Sequence, residues 1–190
     1  MNARRLKLVA ILAGLLLSAL TLLTWTQVWF DITLTTGQSL AVAGDVAAPA
    51  LTALALSSLA LDGALSIAGV VFRVVLGLLQ SAIGALVITS AAIAIADHIT
   101  ASARSISAAT GVSGGQSVAE LVSHVASTAW PLLALLCGIL LTLLGLSIVG
   151  TARLWPPSSR KYQAVRIEDA NGERSAIGDW DALSDGRDPT

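Results

Sequence analysis

Charged residues are scarce in this sequence. Only 12% of the 190 residues are charged, about half of the roughly 25% that is usual in soluble proteins. The mean hydropathy is +0.79, and 55% of the residues are hydrophobic. The net charge of −1 argues against nucleic acid as a partner, because phosphate binding needs a basic face. The composition indicates an integral membrane protein in contact with the lipid bilayer.

Cysteine pairs and catalytic motifs are also missing. Cys137 is the single cysteine, so no intrachain disulfide can form. The sequence has no G-x-S-x-G, phosphate-binding glycine loop or H-E-x-x-H, and the serines of its apolar segments have no histidine near them to act as a base. Four outer residues are spaced too loosely for a zinc site: His98, His124, Asp97 and Glu120. We therefore expect no enzyme, no cofactor and no metal.

Long uncharged runs dominate what is present. A membrane-spanning helix needs about 20 apolar residues, and backbone groups in lipid must be satisfied within the segment. Four runs qualify, and they predict spanning helices near residues 7–25, 49–68, 74–96 and 131–151. Packed together, these helices form a four-helix membrane bundle over residues 1–155, followed by a polar tail over 156–190.

The first apolar run has two interpretations. Arg4, Arg5 and Lys7 before an apolar run also resemble a secretory signal peptide. The run is longer than a signal peptide's apolar region of roughly 7–15 residues. It also ends in Trp25 and Trp29, which is typical of a membrane interface. These features favour a retained helix over a cleaved signal.

The basic residues predict the orientation. With four spans and a cytoplasmic N-terminus, ten of the 11 Lys and Arg residues lie inside, and only Arg104 lies outside. Because cytoplasmic segments of membrane proteins are enriched in Lys and Arg, we expect both termini to be cytoplasmic and the protein to lie in the plasma membrane.

Two outer loops, 26–48 and 97–130, separate the spans. Apolar and polar residues alternate on both sides of Thr36-Gly37-Gln38, which predicts a small extracytoplasmic β-hairpin. In the second loop, Ser117 to Glu120 matches a capping box, which predicts a helix from about Val118 toward the membrane. Pro131 either kinks that helix or begins a new one.

Small residues recur four apart on three of the predicted spans. Such faces allow helices to approach closely in lipid, so we expect them to line the bundle interior: Gly14 and Ser18; Gly77, Ser81 and Ala85; Ala134, Gly138 and Thr142.

Asp62 is the one charged residue in the run from Val46 to Phe72, and Ser58 and Ser66 flank it at a spacing of four. If the second and third spans form a hairpin that turns near Val71, Gln80 lies level with Asp62. A hydrogen bond between Asp62 and Gln80 is then expected, because polar side chains commonly join membrane helices. Two alternatives remain: Asp62 reaches Arg73, or it takes part in proton coupling.

Several short motifs occur in order along the chain. They include Pro49 before the second span, Trp130-Pro131 before the fourth, Trp155-Pro156 with Tyr162, Trp180-Asp-Ala-Leu183, and a terminal segment containing Asp188-Pro189. In these motifs the sequence resembles the actinobacterial membrane proteins associated with tryptophan-biosynthesis operons. The resemblance implies four membrane helices and a link with tryptophan metabolism, and it implies no catalytic residues.

The polar tail has two interpretations. Trp180 and Leu183 share a short segment bounded by the helix end signals Asp179 and Gly186, and an aromatic and a leucine on one turn suit a partner groove. The other interpretation is a solubilising tail. We favour a non-enzymatic accessory or scaffold protein that docks a protein partner through this tail. The alternative is a small transporter or exporter subunit for tryptophan or an indole-like metabolite, which requires a homo-oligomer.

Overall fold

The computed structural model describes residues 3–155, with side chains from residue 5 onward. The helices and strands of this part of the chain follow in the order α1 (Ala3–Thr26), β1 (Val28–Leu34), β2 (Ser39–Ala43), α2 (Gly44–Ala47), α3 (Ala50–Ile67), α4 (Val70–Ala96), α5 (His98–Thr110), α6 (Gly115–Glu120), β3 (Val122–Ser127) and α7 (Trp130–Thr151). Four of the helices are long and apolar enough to cross a membrane: α1, α3, α4 and α7. The prediction of four spanning helices is confirmed.

The connection between α3 and α4 is shorter than the sequence suggested. The turn lies at Ala68 and Gly69, both in extended conformation, rather than near Val71. The helix α4 begins at Val70, so Arg73 belongs to its first turn and its backbone N–H donates to Gly69 O at 2.9 Å. An arginine is tolerated there because its guanidinium reaches carbonyl groups at the ends of two helices, as described below.

The predicted β-hairpin is present. Strands β1 and β2 pair antiparallel, and Gly37 in the connecting turn has φ +84°, a conformation that glycine adopts without steric cost. The Gly37 N–H donates to Leu34 O at 2.9 Å, and the Leu34 N–H donates to Gln38 O at 2.8 Å. These two bonds close the turn.

A third strand joins the hairpin, and here the expectation of a long helix from about Val118 was wrong. The helix α6 ends at Glu120, and β3 pairs antiparallel with β1 to give a sheet of order β2-β1-β3. Val118 is buried in the core beside the sheet. Pro131 lies in the first turn of α7, so it begins a new helix and does not kink an older one. The second loop also contains α5, which was not predicted from the sequence.

Glycines bring α4 and α7 into direct backbone contact. A Cβ atom built on Gly84 would lie 2.5 Å from Thr142 N, and one on Gly138 would lie 3.0 Å from Gly84 O. The α4 face runs through Gly84 rather than the expected Ala85, which is exposed. The reason is geometric: at 3.6 residues per turn, repeated steps of four drift around the helix, and a step of three restores the face.

Two clusters of buried apolar residues lie at opposite ends of the bundle. The larger one packs the sheet, including Trp29 and Phe30, against α5 and the adjoining ends of α3, α4 and α7. We call this the sheet end. The smaller one joins Ala10, Leu65, Ile148 and Trp155 at what we call the basic end, because Arg5, Lys7, Arg73 and Arg153 all lie there.

Candidate functional site

A polar cluster lies inside the bundle between these two apolar cores. It comprises Ser18 on α1, Ser58 and Asp62 on α3, and Gln80 on α4, and each of the four residues is at most 2% exposed. Ser66, the third member of the polar stripe expected on α3, is exposed, and its hydroxyl donates to Gly63 O at 2.6 Å. The interior polar site is therefore built by three helices rather than by α3 alone.

Hydrogen bonds connect the four side chains in sequence. Gln80 Nε2 donates to Ser58 Oγ at 2.6 Å, and the Ser58 and Ser18 hydroxyl oxygens are 2.6 Å apart. The Ser18 hydroxyl in turn donates to Asp62 Oδ2 at 3.5 Å. Since Ser18 has a single hydroxyl hydrogen, Ser58 is the donor between the two serines. The chain runs from Gln80 through Ser58 and Ser18 to Asp62.

The structure thus places Asp62 and Gln80 in one cluster, with the two serines between them. A direct hydrogen bond between Asp62 and Gln80 was expected from the sequence. The Gln80 amide donates to Ser58 instead. Ser18 had been assigned to a packing face, and its polar role was missed. The available signal was its hydroxyl on the interior face of an apolar helix, where buried polar groups need partners.

Gly14 allows α1 to lie directly against Asp62. A Cβ atom built on Gly14 would overlap the Asp62 carboxyl group. Asp62 is therefore enclosed on its α1 side by backbone as well as by Ser18, which leaves no open space beside the carboxyl group on that side.

The substitution Gly14→Ala is expected to destabilise the folded protein by about 1 kcal/mol, the lower end for overpacking, because the Asp62 side chain can shift in response. Thermal unfolding in detergent measures the effect. Gly63→Ala is the matched control, since Gly63 adjoins Asp62 in sequence but has no atom within 4 Å of a built Cβ. An equal loss of stability in both variants would contradict the close packing of α1 on Asp62.

Arg73 and Trp155 form a second contact group, at the basic end. Arg73 is fully buried, and its Nε donates to Ala68 O at 3.0 Å. Its Nη1 donates to Trp155 O at 3.2 Å and to Ala152 O at 3.5 Å, and its guanidinium carbon lies 5.5 Å from the Trp155 ring centroid. Arg73 therefore ties the Ala68 carbonyl at the end of α3 to the chain that follows α7. Close by on α1, Lys7 Nζ donates to Ser66 O at 2.6 Å.

The histidines at the sheet end do not gather into a metal site. No group of three or more metal-ligating side chains occurs among the residues that the structure describes. His98 packs its ring 6.1 Å from that of Phe30. Asp97 caps α5 by accepting from Thr100 N at 3.0 Å, and these bonds to Thr100 hold the pKa of the Asp97 carboxyl below its usual value. His98 and Asp97 therefore each make a local structural contact.

The motif residues fall into two groups. Pro49 is the N-cap of α3, Trp130 and Pro131 form the first turn of α7, and Trp155 is buried at the basic end. The remaining ones lie outside the described residues: Pro156, Tyr162, Trp180, Leu183, Asp188 and Pro189. The described motif residues thus mark places where the chain enters or leaves a spanning helix.

This architecture defines a class: an integral membrane protein of four spanning helices, with a three-stranded sheet at one end and a buried polar cluster inside. A family model described as tryptophan-associated transmembrane protein matches residues 7–190. The chain belongs to this family, which confirms the resemblance to a tryptophan-associated membrane protein family. No curated protein and no solved structure shows a significant match.

Proposed function

We propose that this protein is a non-enzymatic accessory protein of the plasma membrane, linked to tryptophan metabolism, which docks a protein partner through its polar tail. The observation that carries the proposal is the closed packing around the polar cluster. Asp62 is 1% exposed, and Gly14 adjoins its carboxyl group. A transport path through the bundle would require an open polar cavity at this level, whereas an accessory protein requires only a stable bundle.

The charge distribution supports a cytoplasmic tail. Basic residues surround the end at which α7 finishes, and acidic residues gather at the sheet end: Asp31, Asp45, Asp97 and Glu120. Under the positive-inside rule, this asymmetry favours a cytoplasmic basic end. The tail then lies in the compartment where tryptophan is made and where its partner would be found.

Cysteine labelling in intact cells tests this orientation. The native Cys137 is buried, so new cysteines report without a large background. We expect Ser113→Cys, in the exposed turn before α6, to react with a membrane-impermeant maleimide. Ser184→Cys, in the tail, should react only after the cells are opened. Labelling of Ser184→Cys in sealed cells would refute a cytoplasmic tail.

Trp180 and Leu183 are the residues proposed to dock. We expect the double substitution Trp180→Ala and Leu183→Ala to remove the same co-purifying proteins as deletion of residues 178–190, because buried aromatic and aliphatic anchors supply most of the binding energy of small interfaces. Quantitative mass spectrometry of the purified full chain and its variants, after crosslinking in cells, measures the loss.

The matched control is Asp179→Asn with Asp181→Asn, which changes the charge of the same segment and leaves both anchors in place. Co-purification should persist in this variant. If the full chain and the 178–190 deletion retain identical partners, docking through the tail is wrong. If the charge variant alone loses them, recognition is electrostatic and the two apolar residues are not the anchors.

The second candidate is a subunit of a tryptophan or indole exporter. It draws support from one feature, a carboxyl group within a spanning helix, since such groups often lie on transport routes. Asp62→Asn separates the two functions. Export by cells and resistance to external indole should be unchanged for an accessory protein, and they should fall with normal protein levels for a transporter subunit.

A further inference from the structure

The hydrogen-bond chain in the polar cluster has a property that neither proposed function uses. Each of its three links carries one hydrogen, and the links all run in the same sense, toward the Asp62 carboxyl group. Such a chain suits an ionised carboxylate, which only accepts hydrogen bonds. It also suits the protonated acid if every link is reversed, because hydroxyl groups donate and accept equally well.

The far end of the chain allows this reversal. Gln80 Oε1 is buried and has no hydrogen-bond partner among the described residues, so the amide is held only by the bond from Nε2 to Ser58. A half-turn of the amide exchanges Nε2 for Oε1 beside Ser58 Oγ. The donor at the end of the chain then becomes an acceptor, and one bond at most is broken during the rotation.

We infer that the Asp62 carboxyl group is an internal proton-binding site, and that Ser18, Ser58 and Gln80 form its switchable hydrogen-bond chain. A hydronium ion transfers its proton to the carboxylate, which gives the acid and a water molecule, and no other covalent bond forms or breaks. The acid donates to Ser18, Ser18 to Ser58, and Ser58 to the rotated Gln80 amide. Both protonation states therefore have three hydrogen bonds.

The geometry selects a proton over a metal cation. The two serine oxygens are 2.6 Å apart, a hydrogen-bond separation that leaves no room for an ion between them. Gly14 adjoins the Asp62 carboxyl group on the α1 side. Oxygen-coordinated cations need about six ligands arranged around an open centre, and the cluster offers no such centre.

Two cations on the packed helices lie toward the basic end from Asp62. On α1 the nearest is Lys7, seven residues before Gly14, and on α4 it is Arg73, seven residues before Gln80. These spacings are about 10 Å along each helix axis, and Asp62 is nearer to both cations than Gly14 or Gln80 is, since Lys7 donates to Ser66 O one turn beyond Asp62. Both are cations and favour the ionised carboxylate. Cys137 is the buried ionisable group of α7.

Infrared difference spectroscopy of the full chain in lipid vesicles tests the proposal. Between about pH 4 and pH 10, the range that spans ordinary and strongly raised carboxyl pKa values, we expect a protonated-carboxyl band at the high frequency of an unhydrated acid. It should vanish completely in Asp62→Asn and persist in Asp45→Asn, whose carboxylate is exposed. A glutamine side-chain amide band should change together with it.

The substitution Ser58→Ala disconnects Gln80 from Ser18 and Asp62. This variant should keep the Asp62 carboxyl band and lose the coupled glutamine change, because Ser58 is the only link from Ser18 to Gln80 in the chain described above. If Asp62→Asn does not fold, Ser58→Ala still tests the hydrogen-bond chain. Carbon-13 labelling of aspartate in the unsubstituted protein is then used to assign the band.

Three results would overturn the inference. The first is the lack of any high-frequency carboxyl band over the whole pH range, which would leave Asp62 as a fixed structural group. The second is a band that survives in Asp62→Asn. The third is a spectrum at constant pH that responds to sodium chloride but not to choline chloride, which would identify a cation site.

Discussion

Replacing Gly145 by alanine is expected to destabilise the bundle by about 3 kcal/mol, the upper part of the range for overpacking. A Cβ atom at Gly145 would lie 2.5 Å from Ser81 N and 2.6 Å from Gly77 O. Both are backbone atoms of α4, so no side-chain rotation relieves the overlap and the two helices must separate. Since association in lipid depends on close packing, the effect exceeds that of Gly14→Ala, where a side chain can move.

Gly150→Ala is the matched control for this prediction. Gly150 lies on the same helix, and a Cβ atom built there has no neighbour within 4 Å. Alanine is intrinsically better than glycine in a helix by roughly 0.5–1 kcal/mol, so the control should be neutral or slightly more stable. Reversible unfolding in mixed micelles measures both variants. Equal stability of Gly145→Ala and Gly150→Ala would show that α4 and α7 are farther apart than the structure has them.

The four spanning helices were predictable because their signal is local. Each depends only on the length and polarity of one apolar run, and a membrane makes helix the required backbone structure. The hairpin was also local, with Gly37 between two alternating segments. Strand β3 was not predictable in this way. It pairs with β1 across about 90 residues, as in the register Thr33 with His124, and nothing within residues 122–127 specifies that partner.

The polar cluster shows how a small error in a turn changes a predicted pair. A turn near Val71 would bring Gln80 level with Asp62. The observed turn at Ala68 and Gly69 brings Gln80 level with Ser58 instead, since both lie about eleven residues from it. That is the hydrogen bond observed, at 2.6 Å. The sequence identified Asp62 and Gln80 as interior polar side chains, and the turn position decided which atoms meet.

The contribution of α1 was harder to foresee. Ser18 belongs to the cluster because Gly14 lets α1 approach Asp62, and that approach depends on how three helices pack. A spacing of four between Gly14 and Ser18 predicted a buried face, but it did not specify which helix the face contacts. The absence of a partner for Gln80 Oε1 among the described residues was equally unpredictable from the sequence, because it depends on the lengths and directions of individual hydrogen bonds.

Replacing Arg73 by methionine is expected to cause a comparable loss, about 2–4 kcal/mol, concentrated at the basic end. The substitution leaves Ala68 O and Trp155 O without their donor, and each buried carbonyl left unsatisfied costs about 1–3 kcal/mol. It also removes the cation from the Trp155 ring, a contact worth roughly 0.5–2 kcal/mol. The buried guanidinium has its own desolvation cost, whose loss offsets part of this total.

Two measurements distinguish the Arg73 contacts from a simple charge effect. Thermal unfolding in detergent gives the overall loss, and hydrogen exchange of the segment 148–155 should become faster in Arg73→Met, because the chain after α7 is no longer held. Arg153→Met is the control, since Arg153 is exposed at the same end and its substitution removes the same charge. Arg73→Lys should be intermediate, because an ammonium keeps the charge without the planar fork that reaches several carbonyls. If Arg153→Met and Arg73→Met behave alike, the Arg73 contacts do not hold the end of α7, and another interaction must place Trp155 in the core.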